Sequence, residues 1–472
     1  MTSRADPSVD TAAEADRVEA AAAVRLAPSP ALLERVAQVR TELVRRVEEA
    51  AKARSSPLVR ALVAGSAARG TFLADRLDVD LFLLFPPDLP RERLREEGLA
   101  LGRAVLTDPE TRYAEHPYLR GTFEGFRVDA VPGFAVTDPS RPLSAVDRTP
   151  FHQAWLAERE TPEVVQEVRL AKRFLDHLGV YGSEARTEGF SGYLVELLVL
   201  RFGSLRRLLA AARHWPVPVR LAEPGREPPR LPEDVALVLA DPVDPNRNVA
   251  TALSRRNLGL VIAAAAAYLD RPAESWFDVR RPSKHSRADA LRRLAERGTH
   301  VTVVSLPRPA EVVDDTLYPQ VRKAARAVAE TLARAEFVVL GVTTALDAER
   351  VYVVLEVSHP DRPAVQLRSG PPPGIDRAGD FLAKWAGAGA RVLQGPYVRE
   401  DGSFGVETAR DERSVESVVE ATRPRLALGK DLTPRDPSRI EVRALGDAAD
   451  VPSLAEALGE LFDKRLPWLA PR

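Results

Sequence analysis

The sequence contains no cysteine, and this absence excludes several kinds of chemistry. Disulfide bonds, thiolate metal sites and cysteine nucleophiles cannot form anywhere in its 472 residues, so the catalytic groups must be oxygen or nitrogen. A chain without cysteine also fits a reducing compartment, and we therefore expect a cytoplasmic protein.

Long hydrophobic runs and a net charge of one sign are missing as well. The longest apolar stretch, Leu258 to Leu269, contains a run of alanines and has the length of a buried helix rather than of a membrane span. Charged residues precede any apolar run at the amino terminus, which argues against a secretory signal. Lys+Arg of 67 against Asp+Glu of 68 give a formal net charge of -1, so any RNA site must be a local basic patch.

The length and the periodicity indicate about three domains, since a domain usually spans roughly 100 to 200 residues. Residues 1–27 are rich in Ala, Asp, Glu and Ser, and we expect a mobile extension or a frayed helix there. Helical spacing of apolar residues covers residues 30–53, 162–178, 193–211, 254–269 and 318–335. Beyond Arg271 strand patterns alternate with helices, which predicts one or two small sheets with helices on one face.

Two aspartates on one predicted strand are the first candidates for catalysis. Val79 to Phe85 is a largely apolar run, typical of a buried strand, and Asp78 and Asp80 have the i, i+2 spacing that places both carboxylates on one face. Solvated aspartate pairs are common, but an uncompensated aspartate is costly within such a strand. The pair therefore favours a ligand couple for Mg²⁺, which prefers carboxylate oxygens.

A third carboxylate, Asp129, lies near the middle of another short predicted strand. Joining a nucleoside monophosphate to a hydroxyl needs an attacking oxygen, a pyrophosphate leaving group and cations that hold both in line. We expect two Mg²⁺ ions bound by Asp78, Asp80 and Asp129. Asp129 would bind the ion that activates the attacking hydroxyl and act as, or beside, the base.

A turn of small residues precedes the aspartate pair. Gly65 and Ser66 permit close approach of the backbone to a phosphate, while the Ser66 hydroxyl and the Arg69 guanidinium add a donor and a charge. Taken alone, a β-turn with a surface arginine explains these residues equally well. The combination with Asp78 and Asp80 is far more specific than either part.

Together these segments resemble the nucleotidyltransferases of polymerase β type, and among them the archaeal-type (class I) CCA-adding enzymes. The turn has the pattern G-S-x-x-R-G-T-x-L and the strand has the pattern D-x-D-x-F-x-L-F-P. Phe72 and Leu77 depart from the residues that the family often has there. The resemblance covers roughly residues 28 to 440, and its further motifs are Ala145–His152, Val168–Glu184, Gly189–Ser204, Asp241–Ala250, Leu306–Gln320, Gly370–Pro373, Phe381–Trp385, Gln394–Val398 and Leu426–Leu432.

The resemblance implies an α+β multidomain protein. Its parts would be a polymerase-β-like nucleotidyltransferase head over residues 28–150, a helical neck over 151–275, and an α+β body and tail over 276–472 that bind tRNA. It also implies a homodimer.

The resemblance further assigns residues to the site. Asp78, Asp80 and Asp129 match the metal-binding carboxylates, and Ser66 and Arg69 match phosphate contacts. Residues that match positions near the triphosphate, the sugar or the primer end are Thr149, His152, Lys172, Tyr181, Arg247 and Asn248. His116 matches a stretch near the catalytic site. Without the family, a capping or core role for His152, helix-face roles for Lys172 and Tyr181, and strand-end packing for His116 explain these residues.

The activity implied is template-independent addition of C, C and A to the 3′ end of tRNA from CTP and ATP, with release of pyrophosphate. The acceptor stem and TΨC arm would be recognised through backbone and shape. Basic clusters at residues 280–293 and 430–439 are candidates for this contact, and each is explained equally well as a solvated surface.

Two alternative functions remain. The first is another enzyme of the superfamily, a poly(A) polymerase or a small-molecule nucleotidyltransferase, and the length of the resemblance argues against it. The second is a non-catalytic RNA-binding relative. The intact aspartates, Ser66 and Arg69 argue against that reading.

Overall fold

The computed structural model describes residues 9–113, 117–221, 228, 231–280, 282–387, 389–449 and 451–469. The chain forms two compact units. The first comprises Met1–Arg281, Val313–Asp315 and Leu466–Arg472, and the second comprises Pro282–Val312 and Thr316–Arg465. Both contain helices and sheets, so the predicted α+β multidomain fold is confirmed. The domain boundaries at residues 150 and 275 stay predictions. In the described part of the chain, no helix is both long enough and apolar enough to cross a membrane.

The first half of unit one is built around a five-stranded sheet with the order β1-β2-β5-β4-β3. Strands β2 and β5 are parallel, and the other neighbours are antiparallel. The elements here are α1 (Val9–Leu26), α2 (Pro30–Ala53), β1 (Arg60–Ala64), α3 (Gly65–Arg69), β2 (Asp78–Phe85), α4 (Arg91–Val105), β3 (Thr107–Tyr113), β4 (Pro117–Phe123) and β5 (Phe126–Phe134).

The two faces of this sheet differ in character. One face carries the larger core, in which Val39 and Leu43 of α2 and Leu101 of α4 pack with Leu81 and Leu83 of β2. The opposite face has a small apolar cluster at one end, formed by Leu62, Ala64, Phe82 and Leu84. Side chains alternate along a strand, so every second residue of β2 and β5 projects to this second face. Those beyond the small apolar cluster can be polar.

The second half of unit one is mainly helical, as predicted. Its elements are α5 (Thr149–Ala157), α6 (Pro162–Leu178), α7 (Gly192–Phe202), α8 (Leu205–Ala212), β6 (Val219–Arg220), β7 (Leu237–Val238) and α9 (Arg255–Asp270). The prediction of one helix over residues 193–211 is wrong. Gly203, with φ of +86°, ends α7, and Ser204 Oγ accepts a hydrogen bond from Arg207 N at 3.2 Å and begins α8.

The amino-terminal segment is not a mobile extension over its described residues. Helix α1 buries Val18 and Ala22 in the same core as α6 and α9. Glu19 accepts hydrogen bonds from Arg206 Nη2 at 2.6 Å and from the Tyr268 hydroxyl at 3.0 Å. The sequence left a frayed helix open as an alternative but did not predict its packing, because alanine gives little amphipathic contrast, although its small side chain permits close helix packing. Residues 1–8 lie outside the described part.

The elements from α10 onwards form two antiparallel sheets, with the orders β14-β8-β10-β9 and β11-β13-β12. They are α10 (Arg287–Arg297), β8 (His300–Pro307), α11 (Asp314–Arg334), β9 (Val339–Leu346), β10 (Arg350–Val357), β11 (Val365–Ser369), α12 (Arg377–Ala386), β12 (Val392–Val398), β13 (Phe404–Ala409), α13 (Val415–Thr422), β14 (Glu441–Ala444) and α14 (Pro452–Phe462).

Helices cover both faces of the four-stranded sheet, whereas the sequence predicted helices on one face. Leu317 of α11 and Val415 of α13 pack with Val353 on one side. Leu294 of α10 and Leu458 of α14 lie in the cluster on the other side, with Val354. The near-continuous apolar run of β10 is typical of a strand buried on both faces.

Candidate active site

Five charged residues share the second face of the five-stranded sheet. Asp78 and Asp80 alternate along β2, Arg127 and Asp129 alternate along β5, and Arg120 lies on β4. In the strand register Asp78 stands opposite Arg127, Asp80 stands opposite Asp129, and Asp129 stands opposite Arg120. Directly opposed residues project to the same side, so the three predicted carboxylates lie on one face of neighbouring strands.

Two of these carboxylates are held by arginines. Arg120 donates from Nε to Asp129 Oδ1 at 2.7 Å and from Nη2 to Asp129 Oδ2 at 2.6 Å. Arg127 makes the same two-pronged contact with both oxygens of Asp78. These hydrogen bonds raise the pKa of Arg120 and of Arg127. In this arrangement no three His, Asp or Glu side chains of the described residues are grouped so as to hold a metal ion.

Asp80 lies between these two pairs. Burial raises its pKa to about 7, together with the negative charges of Asp129 and Asp78. A divalent cation would offset this repulsion, and carboxylate oxygens on adjacent strands are suitable donors for one. The residues present therefore fit a divalent-cation site.

The glycine turn lies directly against Asp80. A Cβ atom added to Gly65 would be 2.5 Å from Asp80 Oδ2, and Gly65 has a φ of +71° that disfavours other residues. Ser66 follows in the short helix α3 and is half-buried. The structure thus brings the predicted phosphate turn and the predicted carboxylates together.

Arg69, at the end of α3, is almost fully buried and contacts the helical half of the unit. It donates to Gln153 Oε1 and to Glu196 Oε2, both at 2.5 Å, and its Nε lies 3.1 Å from Glu160 Oε2. The guanidinium therefore lies within the protein in this conformation rather than at an open surface.

Lys172 on α6 belongs to the same buried group. Its ammonium donates to Thr71 O at 3.0 Å, to Thr71 Oγ1 at 3.1 Å and to Glu196 Oε1 at 2.9 Å, which uses all three of its hydrogens. The Glu196 carboxylate, on α7, thus bridges Lys172 and Arg69. We name Arg69, Thr71, Lys172 and Glu196 the buried ion cluster.

Asp241 gathers another set of predicted residues. His152 Nε2 and Arg247 Nη1 each lie 2.8 Å from Asp241 Oδ2, and the Tyr193 hydroxyl donates to Asp241 Oδ1 at 3.1 Å. The rings of His152 and Tyr193 are also packed together, with centroids 4.1 Å apart. Burial would raise the pKa of Asp241, but hydrogen bonds from His152, the Val243 amide and Arg247 outweigh it and hold that pKa at about 2.

The remaining predicted residues have different surroundings. Thr149 is the first residue of α5, the helix that carries His152. The guanidinium of Arg76 lies 5.3 Å above the Tyr181 ring. Asn248 is buried and its amide bonds Leu237 O and Leu239 N, which is a structural role within its loop. His116 lies outside the described residues.

Sequence reasoning missed four residues of the site: Arg120, Arg127, Glu196 and Asp241. Arg127 has the same i, i+2 relation to Asp129 as the aspartates have to each other, which was a usable signal. Glu196 lies in the middle of a largely apolar helix, and a charge in such a position needs a buried partner. Asp241 gave no signal because His152 and Tyr193 lie far from it in the sequence, and Arg120 gave none because its own strand, β4, was not predicted.

Three family models match successive parts of the chain. They are the nucleotidyltransferase domain over residues 44–152, the second domain of tRNA nucleotidyltransferase over 166–278, and the C-terminal domain of CCA-adding enzyme over 297–441. The CCA-adding enzyme of Halobacterium salinarum is 38% identical over 461 residues, which cover 97% of this chain and 98% of that protein.

The chain belongs to the CCA-adding enzyme family. The CCA-adding enzyme of Haloarcula marismortui is 42% identical over 352 residues, covering 71% of this chain and 74% of that protein. That of Archaeoglobus fulgidus is 39% identical over 328 residues, with 69% and 74% covered. The family resemblance inferred from the motifs is therefore confirmed. The chain is a nucleotidyltransferase, and this superfamily generally uses divalent metal ions.

One solved structure with a related shape is the Cid1 poly(U) polymerase bound to Mg 3′-dATP. It has a TM-score of 0.42 and 14% identity, covering 56% of this chain and 98% of that chain.

Proposed function

We propose that this chain adds C, C and A in that order to the 3′ end of tRNA, without a nucleic-acid template, from CTP and ATP and with release of pyrophosphate. The observation that carries the proposal is the face of the five-stranded sheet on which Asp78, Asp80 and Asp129 stand in register beside the Gly65 turn. This face occurs in a chain that is related to CCA-adding enzymes over nearly its full length.

The catalytic step would use two Mg²⁺ ions held by Asp78, Asp80 and Asp129. They would supply positive charge for the attacking hydroxyl and for the pyrophosphate that leaves. A carboxylate oxygen of Asp129 would accept the proton of the 3′ hydroxyl. The hydroxyl oxygen would then bond the α-phosphorus of the nucleotide while the bond from that phosphorus to pyrophosphate breaks. The Ser66 hydroxyl, on the residue that follows Gly65, would donate to a phosphate oxygen.

The nucleotide would lie between the sheet face and the helices that follow it. We assign its contacts to the residues Ser66, Arg69, Thr149, His152, Lys172, Tyr181 and Arg247. Arg69 is itself part of the Gly65–Thr71 segment and bonds Glu196 of α7, and Lys172 bonds both Thr71 and Glu196, so both side chains connect the phosphate turn to α7. His152 and Arg247 both bond Asp241, which holds them side by side and supports their assignment to one ligand.

The tRNA would be held by its acceptor stem and TΨC arm. A cleft of about 560 Å³ in unit two is lined by His285, Asp289, Arg292, Arg293, Glu296, Arg297 and Phe462. Arg292 and Arg293 belong to the cluster at residues 280–293, which we propose as a phosphate-backbone contact. We also propose a homodimer, which the family implies, and a cytoplasmic location, which fits the lack of cysteine.

The experiment uses transcripts of one tRNA that end before the first C, after C and after C-C, each with labelled CTP or ATP and Mg²⁺. We expect CMP to be added to the first two transcripts and AMP only to the third. An Asp78→Ala, Asp80→Ala double variant should lose all addition, whereas Asp88→Ala, an exposed aspartate just beyond β2, should retain it. Unlimited AMP addition would indicate a poly(A) polymerase, and no addition by the folded wild type would indicate a non-catalytic relative.

A further inference from the structure

Arg120 and Arg127 have no role in the proposed chemistry, yet they bond the carboxylates that would bind the metal ions. Both oxygens of Asp129 accept from Arg120, and both oxygens of Asp78 accept from Arg127. A carboxylate that is bonded in this way has its strongest acceptor directions taken, so a cation must compete with the guanidinium for them.

The geometry of the two pairs shows that they belong to the sheet itself. Arg120 is the register partner of Asp129 across β4 and β5, and Arg127 is the register partner of Asp78 across β5 and β2. The face therefore carries two cross-strand ion pairs over three strands, with Asp80 opposite Asp129 between them. Such cross-strand pairs of opposite charge stabilise a sheet, while three aspartates without them would repel one another.

Exposure indicates that the arginines can leave. The side chain of Arg120 is 35% exposed and that of Arg127 is 55% exposed, whereas Asp129 is only 14% exposed. A guanidinium at the rim can turn into water at little cost, since exposed ion pairs are weak. The buried carboxylate then needs another positive partner.

We propose that Arg120 and Arg127 are displaceable counterions of the metal site, which hold Asp129 and Asp78 until divalent cations replace them. This inference rests on the metal site proposed above. It assigns to the arginines a function in metal affinity: the cations bind in exchange for two ion pairs, so the pairs weaken metal binding.

The test is a titration of the full-length protein with Mn²⁺, without nucleotide or RNA, in which electron paramagnetic resonance measures the free ion. We expect Arg120→Gln and Arg127→Gln each to tighten Mn²⁺ binding by about fivefold, since an ion pair of this kind contributes up to about 1 kcal/mol. Arg120→Lys and Arg127→Lys keep the charge without the two-pronged contact and should lie between wild type and the glutamine variants.

The matched control is Arg112→Gln. Arg112 lies on β3 of the same sheet, is 51% exposed and pairs with Glu110, so its loss removes the same charge without freeing an active-site carboxylate. Its Mn²⁺ affinity should equal that of the wild type. Circular dichroism and Tm establish which variants are folded. If a glutamine variant does not fold, the Mn²⁺ affinity of the corresponding lysine variant tests the inference.

The outcomes separate this inference from the proposed site. Loss of Mn²⁺ binding in the Asp78→Ala, Asp80→Ala variant, with unchanged or weaker binding in the Arg120 and Arg127 variants, would overturn the counterion role and leave the metal site standing. Wild-type Mn²⁺ binding in the aspartate variant would overturn the metal site, and the counterion role with it. If Arg112→Gln also binds Mn²⁺ more tightly, the effect is one of net charge, and the counterion role of Arg120 and Arg127 is overturned.

Discussion

Gly65 leaves no room for a side chain beside Asp80: a Cβ atom on Gly65 would lie 2.5 Å from Asp80 Oδ2. The glycine turn and Asp80 are thus fitted to each other at atomic contact. This relationship ties the two halves of the sequence motif together in space, and it can be tested by filling the gap.

Gly65→Ala should abolish most nucleotidyl transfer. The added methyl must displace Asp80 or the turn, and it also strains the backbone at a φ of +71° by about 1 kcal/mol. The control is Gly70→Ala, which has a φ of +73° and no atom within 4 Å of the new Cβ. The two variants should have similarly lowered Tm values. Initial rates on tRNA should show that Gly70→Ala retains activity. Equal loss of activity in both would contradict a specific fit at Asp80.

The buried ion cluster should contribute strongly to stability. Lys172→Met leaves the Glu196 carboxylate with one fewer cation in a site that is 1% exposed, at an expected cost of about 3 kcal/mol in the free energy of unfolding. Adding Glu196→Gln should recover part of this loss, because the uncompensated charge disappears. Urea denaturation measures both.

The exposed pair of Arg93 and Glu97 on α4 provides the comparison for that cluster. The pair has a distance of 2.9 Å but an Arg93 side chain that is 56% exposed, and Arg93→Met should change the free energy of unfolding by less than about 0.5 kcal/mol. A cost for Lys172→Met no larger than that would show that the cluster is not a stabilising element.

Stability should fall in mild acid through Asp241. Its pKa of about 2 in the folded protein lies below its ordinary value of 3.8. The group therefore contributes stability that is fully present above its unfolded pKa and is lost as the pH falls from about 4 towards 2, by up to about 2 kcal/mol. Urea midpoints from about pH 5 down to about pH 2, a range set by those pKa values, should drop more steeply for wild type than for Asp241→Asn. Parallel curves would mean that the carboxylate is not held in this way.

The amino-terminal helix should be a structural part of unit one. Val18 is 5% exposed and Val24, six positions along the same helix, is 80% exposed. Val18→Asp should lower the free energy of unfolding by about 3 kcal/mol, while Val24→Asp should be almost neutral. Thermal denaturation compares them. If both variants unfold at the wild-type temperature, α1 does not contribute to the fold.

Much of the fold and part of the site followed from the sequence. Helix α2 and strand β2 have strong periodic patterns, and the structure has them close to the predicted positions. Asp78, Asp80 and Asp129 could be grouped because i, i+2 spacing and strand character act locally. The break between α7 and α8 was missed because apolar spacing continues across Gly203 and Ser204.

The environments of the charged residues could not be predicted. Glu196 meets Lys172 from another helix, and His152 meets Asp241 from 89 residues away. Such pairs depend on how helices pack, which no local pattern contains. For the same reason the sequence predicted phosphate contacts for Arg69 and Lys172 but not the carboxylate between them.

The central claim is that this chain completes tRNA with C, C and A and then stops. The most direct measurement incubates one tRNA transcript that lacks its last three nucleotides with all four nucleoside triphosphates and Mg²⁺, and then sequences the 3′ ends of the products. We predict ends that read C-C-A with no further nucleotide, and none in the Asp78→Ala, Asp80→Ala variant. Ends with runs of A, with U or G, or with continued growth beyond A would contradict the account.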